Sequence, residues 1–422
     1  METDFIQMWK ELGVNIELHN KLLAHDFKLH TQTHLSQKNR PSSMKLFDEA
    51  VHASHKQRVS EILEYRKQGG KSIGTFCIYI PDEIALAAEV LPIPLCGGSS
   101  FPVVYADKML PRDICPILRS TFGMALSGTC PYKKLKEAAF GETTCDGKKK
   151  TWDLFGFEVL EVPQKKNDID MELWLKEVYG FKDYMEKLSG VKITIKKLKE
   201  SIYLVNEKRK VLQSINNYRR FLNPPISGLD ALLISQTALN MDVKKFINAG
   251  KELIEELEHR VNKNISAYEN NGGIRVLVAG TPSPMGNAKV HHAIETSGMQ
   301  IVADESCTGM RYFRNLVDDT PENIDELIKV VADRYLKIDC PCFSPNKERI
   351  ENITQIIDEY KIKGVIHNIL SFCHGFNIEA KKIDMVLNKL NIPSLKIVTD
   401  YSYEDIEQIK VRTETFAELI SS

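Results

Sequence analysis

The chain has 422 residues, 43% apolar and 27% charged, which is too long for one core, since domains split beyond roughly 250 residues. With 56 Lys and Arg against 57 Asp and Glu the net charge is −1, so no overall positive field attracts nucleic acid or an anionic membrane. No apolar run reaches the roughly 18–20 residues that cross a bilayer, and Met1-Glu2-Thr3-Asp4 lacks the basic and apolar regions of a signal peptide. A soluble, cytoplasmic chain is expected, with neither nucleic acid nor membrane as partner. Its nine cysteines are then free thiols, metal ligands or redox groups rather than disulfides.

Residues 1–70 are polar and irregularly patterned, and an N-terminal helical arm ending in a helix near 47–66 is predicted there. His25, His30, His34, His52 and His55 show no ligand spacing and read as a solvated face. From Ser72 short apolar runs alternate with helical periods, which predicts a first α/β lobe over 71–167. Its strands are 73–80, 91–95 and 157–162, and Pro81-Asp82-Glu83 opens a helix with acids at the positive dipole end. Over 168–272 apolar residues recur every three or four positions, and Gly190, Asn223-Pro224-Pro225 and Gly228 divide a helical segment into at least three helices. The alternation returns over 273–422, a second α/β lobe with strands at 274–279, 299–303, 363–369 and 394–398 and helices at 287–297 and 379–390. The fold class predicted is therefore α/β, two doubly wound parallel-sheet lobes joined by a helical segment.

The cysteines fall at informative places. Cys96, Cys307 and Cys373 follow predicted strands, where open parallel sheets form their sites. Cys145 immediately precedes a helix, where the dipole and free amides favour thiolate. Cys77 lies inside a predicted strand and reads as core. Cys115, Cys130 and Cys340 are each followed by Pro, a step shared with ferredoxin ligand runs. There is no Cys-x-x-Cys pair and no Cys/His cluster, which disfavours zinc; thiols drawn from two distant lobes suit an iron-sulfur cluster. Unrelated buried or surface thiols are the alternative.

Three stretches carry a resemblance: Cys115-Pro116-Ile117-Leu118-Arg119-Ser120, Gly141-Glu142-Thr143-Thr144-Cys145-Asp146-Gly147-Lys148-Lys149-Lys150, and Arg412-Thr413-Glu414-Thr415-Phe416. Together they resemble the 2-hydroxyacyl-CoA dehydratase superfamily over residues 74–419. One branch of it pairs unlike subunits, each holding a single [4Fe-4S] cluster on three cysteines, and dehydrates 2-hydroxyacyl-CoA. The other, the double-cubane cluster proteins, is homodimeric and holds an [8Fe-9S] centre on six cysteines for ATP-dependent reduction of small molecules. Asp304-Glu305-Ser306-Cys307-Thr308-Gly309, Asp339-Cys340-Pro341-Cys342-Phe343 and Phe372-Cys373 resemble the second branch.

The resemblance implies Cys115, Cys145 and Cys373 as the single-cluster ligands and Cys130, Cys307 and Cys340 as the additional ones, with Cys96 and Cys342 in reserve. It also implies a separate ATP-hydrolysing activator with its own [4Fe-4S] cluster. A non-catalytic electron-transfer protein is the third possibility. His374, next to Cys373, is the candidate proton donor, or else hydrogen-bonds to cluster sulfur; His367 is a second candidate. The turn Gly280-Thr281-Pro282-Ser283-Pro284-Met285-Gly286 lacks the ending of a phosphate loop and reads as a tight turn at the cluster edge. His291-His292 reads as a structural pair without an acid partner, and Lys148-Lys149-Lys150 as a solvated helix face.

Overall fold

The computed structural model describes residues 2–269 and 272–421; Met1, Asn270, Asn271 and Ser422, including the predicted end of the helical segment near 271, lie outside the described residues. The arm is four helices, α1 (Glu2–Glu11), α2 (Ile16–Thr33), α3 (Met44–Ala53) and α4 (Gln57–Lys67). The single closing helix predicted at 47–66 is thus two. The chain breaks at residues 54–56, where outside donors take the exposed carbonyls: Trp9 Nε1 donates to His55 O at 2.7 Å and the Tyr132 hydroxyl donates to Ser54 O.

The first lobe runs β1 (Lys71–Thr75), α5 (Asp82–Ala87), β2 (Val90–Pro94), α6 (Val103–Ala106), α7 (Pro116–Ser127), β3 (Ala138–Glu142), α8 (Asp146–Phe155) and β4 (Glu158–Leu160). Next come four long helices, α9 (Asp168–Ser189), α10 (Ile195–Asn217), α11 (Gly228–Asn240) and α12 (Val243–Asn262). The second lobe runs β5 (Ile274–Gly280), α13 (Lys289–Thr296), β6 (Met299–Glu305), α14 (Met310–Phe313), α15 (Ile324–Leu336), α16 (Lys347–Glu359), β7 (Gly364–Leu370), α17 (His374–Lys389), β8 (Ser394–Thr399) and α18 (Ile406–Ser421).

Both sheets are wholly parallel and share one topology, β2-β1-β3-β4 and β6-β5-β7-β8. Parallel strands covered by helices on both faces are buried without alternation, and β6 and β7 are buried at every residue. Each order reverses beside its first strand, so the carboxyl ends of β1 and β3, and of β5 and β7, are the switch points where such sheets bind ligands. β3 escapes the sequence reading because Ala138, Ala139 and Gly141 give it little apolar bulk.

The four long helices bridge the lobes. α9 starts on a reciprocal cap, Asn167 Oδ1 accepting from Asp170 N at 3.1 Å and Asp170 Oδ2 from Asn167 N at 3.2 Å. It stops at Gly190, which takes φ 74°. α10 packs on α5 of the first lobe and on α14 and α15 of the second. The break between α11 and α12, beyond those read from Gly and Pro, is made by Asp242, whose Oδ1 accepts from Lys244 N and Lys245 N, each at 3.1 Å.

Candidate metal centre

The chain ends of both sheets meet at one cavity of about 290 Å3, lined by Phe76 and Cys77 after β1, Cys96 after β2, Pro282 and Pro284 after β5, and Cys307 after β6. The lobes touch closely there: a Cβ on Gly98 would fall 2.4 Å from Met285 O. The turn 281–286 is held at this edge by Ser283 N donating to Thr308 Oγ1 at 2.9 Å and Thr281 N donating to Asn368 O at 2.9 Å. Two of its residues are prolines without amide hydrogens, and the Ser283 and Pro284 carbonyls accept from Gln236 Nε2 at 2.8 and 3.1 Å.

Three of the six sequence-predicted cysteines occupy the same local position in different elements. Cys115, Cys145 and Cys373 are the N-cap residues of α7, α8 and α17, without a side-chain cap hydrogen bond, and the nearby amides of Ile117, Lys148 and Phe376 respectively favour their thiolate forms. A helix start supplies unpaired amides and partial positive charge, both of which favour thiolate. Burial works the other way, pushing Cys115 up to about 12 and Cys373 to about 11. Neighbouring thiols add to this as negative charges do, Cys373 and Cys145 raising Cys115, and Cys145 and Cys340 raising Cys373.

Cys307 and Cys340 join the group from the second lobe. Cys340 hydrogen-bonds to Cys342 and lies in the field of Cys307, while Cys145 and Cys373 both sense Cys340. Cys307 is the one thiol brought down, to about 7, chiefly by the hydrogen bond from Cys77, which with the Arg311 and Lys148 cations overcomes its burial. Arg311 Nη1 reaches Cys307 Sγ at 3.5 Å.

Two cysteines stand elsewhere than their sequence reading. Cys77 is not in a strand: β1 ends at Thr75, and Cys77 sits in the following turn at φ 70°, its free thiol hydrogen-bonded to that of Cys307 and its amide beside the Cys96 thiol. The run 76–80 is apolar because it is buried in the core, not because it continues the strand. Cys130 is the sequence-predicted ligand that the structure does not bring to the group. It packs with Ile93, Tyr132 and Leu135 beneath the arm, and burial raises its thiol against the pull of the Tyr132 and Lys133 amides. Its proline simply begins a 3-10 turn.

Several side chains beside the thiols left no clear trace in the sequence. Lys148, read as part of a solvated run, is only 15% exposed and pairs with Glu142, which is 0% exposed. Burial opposes its charge, but Cys77 and Glu142 hold it firmly protonated. Arg311 is 2% exposed and donates to Gly280 O at 2.6 Å, tying Cys307 to the end of β5. The Tyr401 hydroxyl is buried without a hydrogen-bond partner, in the field of Cys115, Cys96 and Cys373.

The histidines resolve differently. His374 is exposed at the start of α17. His367 is 1% exposed and pairs with Asp384 Oδ1 at 2.9 Å, so it serves the packing of α17. His291 does have an acid partner, Asp304 Oδ2 at 2.6 Å. Of the arm histidines read as solvated, His30 and His34 are buried, as is the neighbouring His19.

Among the described residues no three His, Cys, Asp or Glu side chains are arranged to hold a single metal ion. Eight thiols instead form a chain of electrostatic neighbours between the lobes, of which Cys77, Cys96 and Cys307 line the interlobe cavity, with the Lys148 and Arg311 cations among them and the unpartnered Tyr401 hydroxyl beside them. That donor set fits a multi-iron sulfide cluster, whose iron would replace the thiol protons that burial otherwise retains.

Two parallel sheets with one topology, their carboxyl ends joined around a group of thiols, define a two-lobed cysteine-centred α/β protein. The chain belongs to the family of the 2-hydroxyglutaryl-CoA dehydratase D-component, whose family model matches residues 77–420, within the 2-hydroxyacyl-CoA dehydratase superfamily. It is 32% identical over 369 residues to YjiM of Escherichia coli (strain K12), a protein named as a dehydratase subunit, covering 85% of this chain and 94% of the relative. It is 26% identical to the (R)-phenyllactyl-CoA dehydratase beta subunit of Clostridium sporogenes, covering 85% and 94%. It is 23% identical to one of the subunits of the benzoyl-CoA reductase of Thauera aromatica, covering 83% and 91%. These relatives come from dehydratases and a reductase. No helix among the described residues is long and apolar enough to cross a membrane.

Proposed function

We propose that this chain is a cytoplasmic, homodimeric iron-sulfur reductase that carries an [8Fe-9S] double cubane and reduces a small molecule with electrons from a separate ATP-hydrolysing [4Fe-4S] activator. The observation that carries the reading is the number of thiols in one group, eight from both lobes, where a single [4Fe-4S] cluster on three cysteines would use fewer than half. Cys115, Cys145 and Cys373 would hold one cubane. Cys77, Cys307 and Cys340 would hold the other, with Cys77 taking the role the sequence alone gave to Cys130 and with Cys96 and Cys342 as neighbours.

Bound there, the cluster would supply low-potential electrons. The protein's own contribution is charge and access. Lys148 and Arg311 offset thiolate charge in a space of low dielectric, and the Tyr401 hydroxyl is free to donate to sulfur. His374, exposed beside Cys373, is assigned proton delivery. A dehydratase subunit with a single [4Fe-4S] cluster is the second reading, favoured by the names of several relatives.

The test is anaerobic turnover: the protein, a candidate activator and a reductant are mixed with ATP, without ATP, or with a non-hydrolysable analogue. Reduction that requires ATP hydrolysis is the expected result. Equal rates in all three would overturn the gated-donor assignment.

A further inference from the structure

The arm covers a second cavity, of about 430 Å3, between α2 and α3 and the turns that follow β2 and β5. Pro94, Cys96, Gln236, Asn240 and Met285 line both this space and the thiol cavity, so the two share a wall. Its outer wall is made by residues before position 77, where the family match begins.

Four imidazoles converge on it: His30, His34, His52 and His55. His30 is fixed by Asp48, Nε2 to Oδ1 2.9 Å, and Asp48 in turn takes Arg40 at 3.0 and 3.1 Å. The rings of His34 and His52 stand 5.0 and 5.3 Å from that of His30, and His55 stacks on His19 at 5.1 Å. His34 is 3% exposed. Its Nδ1 and that of His55 are buried without a hydrogen-bond partner, a state that native interiors rarely leave unexplained.

The remaining lining decides what kind of molecule fits. Leu23, Phe27, Val51, Leu95 and Met124 make much of the surface apolar, Lys56 is the only Lys or Arg among the lining residues, and Asp26 adds an acid. The phosphates of a CoA ester would find almost no cationic partners here. No metal site exists among the described imidazoles either.

We infer that this cavity binds a small uncharged molecule with a hydrogen-bonding nitrogen or oxygen, held by His34, His52 and His55 against the wall shared with the thiols. Its role as the chamber of the molecule to be reduced rests on the reductase reading above; the binding itself does not. The arm then sets substrate choice, because it supplies the wall that faces Cys96-Gly97-Gly98 across the cavity.

Equilibrium dialysis of the anaerobically prepared holoprotein against labelled imidazole, above neutral pH where the probe is uncharged, tests the inference. One saturable site per chain is expected, with the visible spectrum unmoved by the probe. Binding should weaken about tenfold in His34→Phe and in His52→Phe, as for loss of a buried hydrogen bond, while iron content stays at the parent's level. His52 is only half-buried at the rim, so its variant carries the test if His34→Phe fails to fold. No saturable binding to the parent, or undiminished binding in the folded variants, overturns the inference. A parent without iron that still binds imidazole would sink the reductase reading and leave the cavity assignment intact.

Discussion

In the proposed centre Cys77 takes the ligand role that the sequence reading gives to Cys130, and substitutions separate the two directly. Cys77→Ser is expected to lower iron content, whereas Cys130→Ala should leave iron unchanged and cost about 1–2 kcal/mol as an ordinary packing loss, read by iron analysis and urea unfolding. Lys148 and Glu142 form a buried pair, and removing one partner strands the other's charge. Lys148→Met should therefore cost about 3–5 kcal/mol, with much of the loss recovered when Glu142→Gln is added; no recovery would mean that the pair is not coupled. Asp26, which accepts from Ser99 Oγ at 2.7 Å, is pushed up to about 7 by burial. The folded state then holds a proton that the unfolded chain releases above the ordinary carboxylate range. Stability attributable to Asp26 falls as pH rises from about 4 toward 7, so Asp26→Asn should stabilise the protein increasingly across that window in pH-dependent unfolding.

At the scale of elements, most of the two sheets was legible because strands buried on both faces read as uninterrupted apolar runs ended by Gly, Pro or Asp. What failed was local. Apolar residues 76–80 extended the first strand on paper, although the chain turns at Cys77. The Cys-Pro step marked three sites alike, although proline after cysteine starts a helix at Cys115 and only a 3-10 turn at Cys130. The arm histidines hid a signal that could have been used: His30 and His34 are four apart and so share a helix face. Helix starts also allow cluster loss to be separated from misfolding. Serine is a good N-cap, so Cys145→Ser should keep α8 and hold stability within about 1 kcal/mol of the parent while iron content drops; loss of helicity by circular dichroism in step with iron would contradict this.

For the molecule as a whole, the duplicated sheet topology explains why thiols far apart in sequence share one space. Each lobe brings its switch point to the interlobe cavity, and the bridging helices fix the two together. Pattern alone does not separate the two proposed centres, because a single cubane and a double cubane draw on overlapping cysteines. The most direct measurement is iron and acid-labile sulfide per chain after strictly anaerobic purification. About eight irons with a comparable amount of sulfide are expected; about four irons would contradict the double cubane in favour of a single-cluster dehydratase subunit, and zinc without sulfide would contradict both.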